Sequence, residues 1–204
     1  MSGILDLLNS DLGKSIISGV AGSTGNDSDK TSSVLTMALP VLMKAMERNA
    51  ATPEGAEGLM GALSGKHDGS ILDNIGGFLN GGDFTDGSKI LGHVLGGNQD
   101  TMVQGLSSKT GVDSGMIAKI LPMLAPIVMG YLGKQTKSNG VTNSSDLSGM
   151  LGGLLGGSGG SSILTSVLDQ NGDGKLDVSD AMSALSGKKK GGLGGLLSGL
   201  FGKK

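Results

Sequence analysis

Ile16-Ile-Ser-Gly-Val-Ala-Gly-Ser-Thr-Gly-Asn-Asp-Ser-Asp-Lys-Thr-Ser-Ser-Val-Leu-Thr-Met-Ala-Leu-Pro-Val-Leu-Met-Lys-Ala-Met-Glu-Arg-Asn49 returns in altered form 86 positions later, as Met102 to Gln135. The two stretches align without a gap. They share Gly19, Thr24, Gly25, Asp27, Ser28, Leu35, Met37, Pro40 and Met43 with their counterparts, nine identities in 34 positions, and pair many further apolar residues. The common register reads as an apolar helix, a Thr-Gly break, an aspartate at the cap position and a longer apolar helix with an internal proline. Thr24-Gly25 and Thr110-Gly111 end the first helix of each copy, and Asp27 and Asp113 can accept from the free amides that open the second. Each copy is therefore expected to be a helix pair. Pro40 and Pro126 occupy equivalent places, where a missing amide and a ring clash should kink or break the second helix.

The segment between the copies continues the helical reading. Thr52-Pro53-Glu54 supplies a cap, a proline at the first helical position and an acid near the positive end of the dipole, for a helix to about Leu63. Ser70 and Asp73 have the capping arrangement for a short helix through Leu79, and Ser88 to Leu95 predicts another before Gly96-Gly97. No stretch sustains the period-two alternation of a strand. The expectation is an all-α fold of about seven to nine helices, a multihelical domain built on two related helix-pair units. Residues 1–135 form that domain, with the repeat at 16–49 and 102–135. A Gly/Ser-rich linker (136–162) follows, then an EF-hand-like helix-loop-helix (163–187) and a basic Gly/Leu tail (188–204).

Composition narrows the chemistry. The 204 residues include 40 glycines, nearly three times the usual share of about 7%. With three Phe, one Tyr and no Trp, the core must be built from Leu, Ile, Val and 11 Met, which makes it adaptable rather than sharply specified. The absence of Cys excludes disulfides and thiolate metal sites, and two His leave little for zinc. The net charge of −2 hides an asymmetry, because Lys188, Lys189, Lys190, Lys203 and Lys204 lie in an acid-free tail. The remaining body carries 11 bases against 18 acids, a poor balance for a nucleic-acid binder. The N-terminus lacks the basic start, apolar run and cleavage site of a signal peptide, so the expectation is a cytoplasmic protein. The uncharged run Ile120 to Leu132 is 13 residues long and holds Pro122 and Pro126, short of the roughly 20 a bilayer needs. It predicts a buried core helix rather than a membrane span.

The most specific chemical signal is Asp169-Gln-Asn171-Gly-Asp173-Gly174-Lys175-Leu176-Asp177-Val-Ser-Asp180. Oxygen-bearing side chains recur at the spacing of an EF-hand loop: Asp169, Asn171 and Asp173 at positions one, three and five, Gly174 at six, the Lys175 carbonyl at seven, Asp177 at nine and Asp180 at twelve. Ca²⁺ is the partner implied. Asp180 replaces the longer bidentate Glu, which leaves the ion less enclosed. Ile163, Leu164, Val167 and Leu168 before the loop, and Ala181, Met182, Ala184 and Leu185 after it, have the helical spacing of a helix-loop-helix. EF-hands usually pair, so a lone loop is expected to bind weakly or to self-associate. Calcium could then act as a switch or as a structural staple.

Four segments resemble one family in the order expected of it: Thr52-Pro-Glu-Gly-Ala-Glu-Gly58, His67-Asp-Gly-Ser-Ile-Leu-Asp-Asn-Ile-Gly-Gly77, Ile90-Leu-Gly-His-Val-Leu-Gly-Gly97 and Leu124-Ala-Pro-Ile-Val-Met-Gly130. They are similar to the YidB-like bacterial family, domain of unknown function 937, over about residues 1 to 135. The resemblance implies a multihelical bacterial domain with no established activity, and it supplies no catalytic residues. The calcium loop separately resembles those of dockerins and related bacterial modules, in which Asp at position twelve is common. Dockerins carry two such loops, and one is found here.

Three functional readings follow from the residues. The first is a non-enzymatic calcium-binding helical scaffold or assembly module. The second is a peripheral membrane protein whose tail, with cations flanking apolar residues, engages an anionic surface; its glycines weaken that case by disfavouring a helix. The plainest reading of the tail is a disordered linker or solubilising tail, with membrane contact and docking in a groove of this protein or of another copy as the alternatives; the Gly-Leu segment at Leu147 to Leu155 resembles it, so both are expected to suit the same kind of surface. The third is an enzyme with a cleft around His93. No Cys and no clear nucleophile accompany that side chain, so a packed or capping histidine is the plainer reading. His67, at a turn, is expected to lie on the surface.

Overall fold

A computed structural model describes residues 4–155 of the chain. Among these residues the structure is helical throughout, with no strand. In chain order the helices are α1 (Ile4–Asn9), α2 (Asp11–Thr24), α3 (Ser28–Asn49), α4 (Pro53–Ser64), α5 (Ile75–Gly81), α6 (Thr85–Leu95), α7 (Gln99–Thr110), α8 (Ser114–Asn139) and α9 (Ser144–Leu155). Short 3₁₀ turns at Ser70–Asn74 and Gly96–Asn98 lead into α5 and α7.

The repeat is a repeat of structure. The pairs α2–α3 and α7–α8 are joined by matching turns. Gly25 and Gly111 both stand in the left-handed region, with φ of 67° and 69°, which a side chain would make costly. Thr24 and Thr110 Oγ1 each donate back to a carbonyl one turn earlier, Val20 and Leu106, at 2.7 Å. Asp27 accepts from the Asp29 and Lys30 amides at 2.8 and 3.4 Å, and Asp113 from the Gly115 and Met116 amides at 2.9 and 3.2 Å. The apolar register carries over as well. Val34 and Ile120, Leu35 and Leu121, and Met46 and Leu132 are equivalent pairs, all fully buried. At one point a large and a small residue exchange places: Ala38 and Leu39 of α3 correspond to Leu124 and Ala125 of α8.

The prolines do not break these helices. α3 runs through Pro40, and α8 runs through Pro122 and Pro126. Each proline removes one i to i−4 hydrogen bond, a cost that burial of the surrounding apolar turns outweighs. Pro126 has no amide to offer the Pro122 carbonyl, and α6 lies against that freed oxygen. A Cβ on Gly87 of α6 would overlap the Pro122 carbonyl, so only glycine fits there. By length and composition α8 could cross a bilayer, but 67% of its most apolar window is buried inside the bundle.

Smaller differences from the sequence reading concern boundaries. α6 begins at Thr85 rather than Ser88, because the Asp83 carboxylate accepts the Thr85 amide at 3.0 Å. α5 is capped by Asn74, which accepts the Gly77 amide at 3.0 Å, and not by the Ser70–Asp73 arrangement.

The linker expectation requires correction. Residues 136–139 belong to α8, and 144–155 form α9 against α3 and α4. Leu147, Met150, Leu151, Leu154 and Leu155 fall at the i, i+3, i+4, i+7, i+8 spacing of one helix face, and all five are buried. Serine and glycine made the segment look like punctuation, but its few apolar residues carry a full helical stripe. The rest of the expected linker, the calcium loop and the tail lie outside the described residues.

Thr31 is fully buried in α3, and its Oγ1 has no hydrogen-bond partner. Its counterpart in α8 is Ile117, equally buried. Thr31→Val should therefore stabilise the fold by about 1 kcal/mol, because it removes an unsatisfied hydroxyl at nearly constant shape; urea unfolding checks this, and a loss of stability would mean that the hydroxyl is satisfied. Gly87→Ala should destabilise by about 1–3 kcal/mol through overpacking. Gly58→Ala, in a helical site open to solvent, should stabilise by up to about 1 kcal/mol. Equal effects at the two glycines would sink the close-approach argument.

Candidate functional site

The calcium ligands expected from the sequence, Asp169, Asn171, Asp173, Lys175, Asp177 and Asp180, lie outside the described residues. Among the described residues, no group of three or more His, Asp or Glu side chains is placed to hold a metal ion. His93 is exposed in the last turn of α6, so of the packed and capping readings the packed one does not hold. Its backbone carbonyl accepts from Asn49 Nδ2 at 3.4 Å, which ties α6 to the end of α3.

The described residues gather charge around His67 instead. After α4 the chain turns through Gly65, and the His67 amide donates to the Ala62 carbonyl at 2.9 Å. The Asp68 carboxylate accepts the Ser70 amide at 3.1 Å, and Gly69 adopts a φ of 106°. This turn lies directly on α8: a Cβ at Gly133 would overlap the His67 carbonyl, and one at Gly130 would overlap Ile71. Such an approach lets the chain bring His67 beneath the first turn of α6. There Asp86 Oδ2 lies 3.3 Å from His67 Nε2, and Asp86 Oδ1 lies 2.7 Å from Lys66 Nζ. On the other side of the turn, Lys137 of α8 pairs with Asp68 at 2.9 Å.

His67 is buried, 8% exposed, which overturns its expected place on the surface. The reason is the glycine face of α8, which draws the whole turn inward. Burial lowers the imidazole's pKa below its ordinary value; Asp86 opposes that shift and Lys66 adds to it. The ring is thus neutral at pH 7, with the carboxylate beside Nε2. The hydrogen bond from Lys137, then that from the Ser70 amide, holds the Asp68 carboxyl well below the usual carboxylate range. Asp83 is lowered in the same direction, chiefly by the Thr85 amide.

Among the described residues no Ser, Thr or Tyr hydroxyl is hydrogen-bonded to His67. The arrangement therefore lacks the nucleophile–base contact of acyl-transfer chemistry. What it does is join the turn after α4, the start of α6 and the end of α8. Sequence reasoning could have found half of it. An Asp-Gly pair followed by Ser is a turn signal with a mechanism, whereas the pairing of Asp68 with Lys137 spans 69 positions and leaves no local trace.

The imidazole sets a direction of pH dependence. Its folded pKa lies below the ordinary 6.5, so on acidification the unfolded chain binds the proton first and stability falls as pH drops from about 7 through the folded value. His67→Gln should flatten that part of the stability-against-pH curve. An imidazole resonance for His67 titrating at or above 6.5 would contradict the burial argument.

With the fold and its charged junction in view, comparison with known proteins places the chain beside a family. Residues 6–135 match a family described as bacterial protein of unknown function (DUF937). No curated protein and no solved structure matches the chain. The matched span opens in α1 and ends in α8, so it holds both helix pairs up to the last turn of α8 and the His67 junction except Lys137, and it stops short of α9. By that span, which covers well over half of its length, the chain belongs to this bacterial family of unknown function.

Proposed function

We propose that the protein is a non-enzymatic helical scaffold or assembly module that binds one Ca²⁺ through the loop from Asp169 to Asp180. The observation that carries this reading is the register of oxygen ligands. Asp169, Asn171, Asp173, the Lys175 carbonyl, Asp177 and Asp180 supply hard oxygen donors at EF-hand spacing, with Gly174 where the loop turns sharply. Four of these side chains are carboxylates, enough to offset a divalent charge. The helical body supports the scaffold half of the reading: its ionic groups pair with one another at the His67 junction. A single loop with Asp at position twelve favours weak binding, strengthened where two loops from two copies meet.

Calorimetric titration of the full-length protein with Ca²⁺ and Mg²⁺ is the test, beside an Asp169→Ala/Asp173→Ala variant. The expected result is saturable Ca²⁺ binding that the variant loses, with a change in sedimentation if metal drives assembly. No binding at millimolar Ca²⁺ would reduce the loop to an acidic turn and end the calcium reading.

A further inference from the structure

The groove between α3 and α4 holds α9 by one stripe of side chains, and the chain carries that stripe twice. Shifted by 46 positions, Leu147–Leu155 aligns with Leu193–Phe201. Leu147, Gly149, Leu151, Gly153 and Leu154 meet identical residues, Met150 meets Leu196, and Leu155 meets Phe201. All five positions that α9 buries are therefore apolar again in the tail, as Leu193, Leu196, Leu197, Leu200 and Phe201. The glycines correspond too. In α9, Gly149 and Gly153 lie on the outer face, away from the groove, so in this setting a glycine-rich sequence forms a helix because its leucines are buried.

We propose that the α3/α4 groove is a docking site for the tail segment Leu193–Phe201 of the same chain, which exchanges there with α9. Two further observations favour this occupant. The first is charge. α4 exposes Glu54 and Glu57 and carries no cation, while Glu47 of α3, at the groove beside Gly152, is paired with Lys44 at 2.6 Å. α9 brings only Asp146 to this rim, whereas the tail segment is flanked by Lys188, Lys189 and Lys190 on one side and Lys203 and Lys204 on the other. The second is reach. The 37 residues from 156 to 192 include the expected helix-loop-helix at 163–187, and the 12 residues outside it reach at most about 40 Å fully extended, enough to cross a domain of this size. A tether of that length keeps the tail at high effective concentration near its own groove. The α9 segment holds the advantage of a four-residue connection to α8, so it occupies the groove in the structure; the tail holds the advantage of charge.

Because the chain has no cysteine, the exchange can be read by disulfide trapping in the full-length protein. A Cβ at Gly152 would lie 3.8 Å from Glu47 Oε1, and the tail residue equivalent to Gly152 is Ser198. Glu47→Cys combined with Ser198→Cys should form an intrachain disulfide under mild oxidation. Glu47→Cys with Gly152→Cys serves as the positive control. Adding Leu197→Asp and Leu200→Asp to the first pair should slow trapping by about tenfold or more, since burial of those leucines is what seats the segment. Leu151→Asp with Leu154→Asp, which weakens α9, should instead speed it. Should that variant fail to fold, by loss of its helical circular dichroism, the tail substitutions decide alone. A trapping rate indifferent to the tail leucines would show random collision and overturn the proposal. A dimeric product would overturn the same-chain assignment in favour of exchange between copies.

Discussion

Everything in this fold depends on burying α8 on nearly all of its sides. α2, α3, α4, α6, α7 and the Ser70–Asn74 turn all pack on it, and Ile117, Ile120, Leu121, Leu124 and Leu132 are sealed from solvent. Over its central turns, from Ile120 to Gly133, such a helix has no polar face to spare. Its neighbours can come close only where the backbone lets them. Three features of α8 allow that approach: the Pro122 carbonyl left without an intrahelical donor, and the bare backbone at Gly130 and Gly133. α6 uses the first and the His67 turn uses the other two. The position of the charged junction is thus a consequence of packing on α8. His67 is neutral and buried because its chain segment had to lie flat against glycine, and no local preference of His-Asp-Gly-Ser would have placed it there.

The repeat explains why so much of the architecture was legible in the sequence. Thr-Gly-x-Asp gave the break and the cap in both copies, and the structure has the glycines left-handed and the aspartates accepting amides as those residues imply. α4 starts at Pro53 behind the Thr52 cap for the same kind of reason, since Thr52 Oγ1 accepts the Gly55 amide at 3.1 Å. Local signals of this type act over a few residues, and they survive folding because nothing larger competes with them. The prolines in α3 and α8 show the opposite case. Their local effect is to interrupt a helix, but a lost hydrogen bond is worth about 1 kcal/mol net, whereas each large apolar side chain buried on either side contributes about 1.5–3 kcal/mol. Tertiary burial wins, and the helices continue.

The charged junction was mostly illegible for a related reason. Lys66 and Asp86 are 20 positions apart and Asp68 and Lys137 are 69 apart, and no periodicity links them. Exposed pairs of this kind contribute little energy on their own. They sort themselves after the apolar packing has brought their helices together, so a sequence that specifies packing need not advertise them. The misreading of 136–155 came from weighing composition above spacing. Serine and glycine dominate that stretch, yet the five residues that decide its structure are the ones that α3 and α4 cover.

The glycines show what kind of stability this is. Gly22, Gly58, Gly61, Gly76, Gly92, Gly105 and Gly149 lie in helices with open space around the position where a side chain would be, so packing does not require them. Each lowers intrinsic helix stability by about 1 kcal/mol relative to alanine. Helices burdened in this way are too short and too weak to persist alone. They hold their shape only while their apolar stripes are covered, so secondary and tertiary structure must form and dissolve together. For a helix at the centre, such as α8, that coupling is of little consequence because every neighbour would have to leave with it. For α9, attached by one face at the edge of the bundle, helix formation and docking are a single equilibrium. Its sequence sets that equilibrium through five apolar residues, and a segment with apolar residues at the same five spacings competes for the same groove on terms set by its tether and its charge.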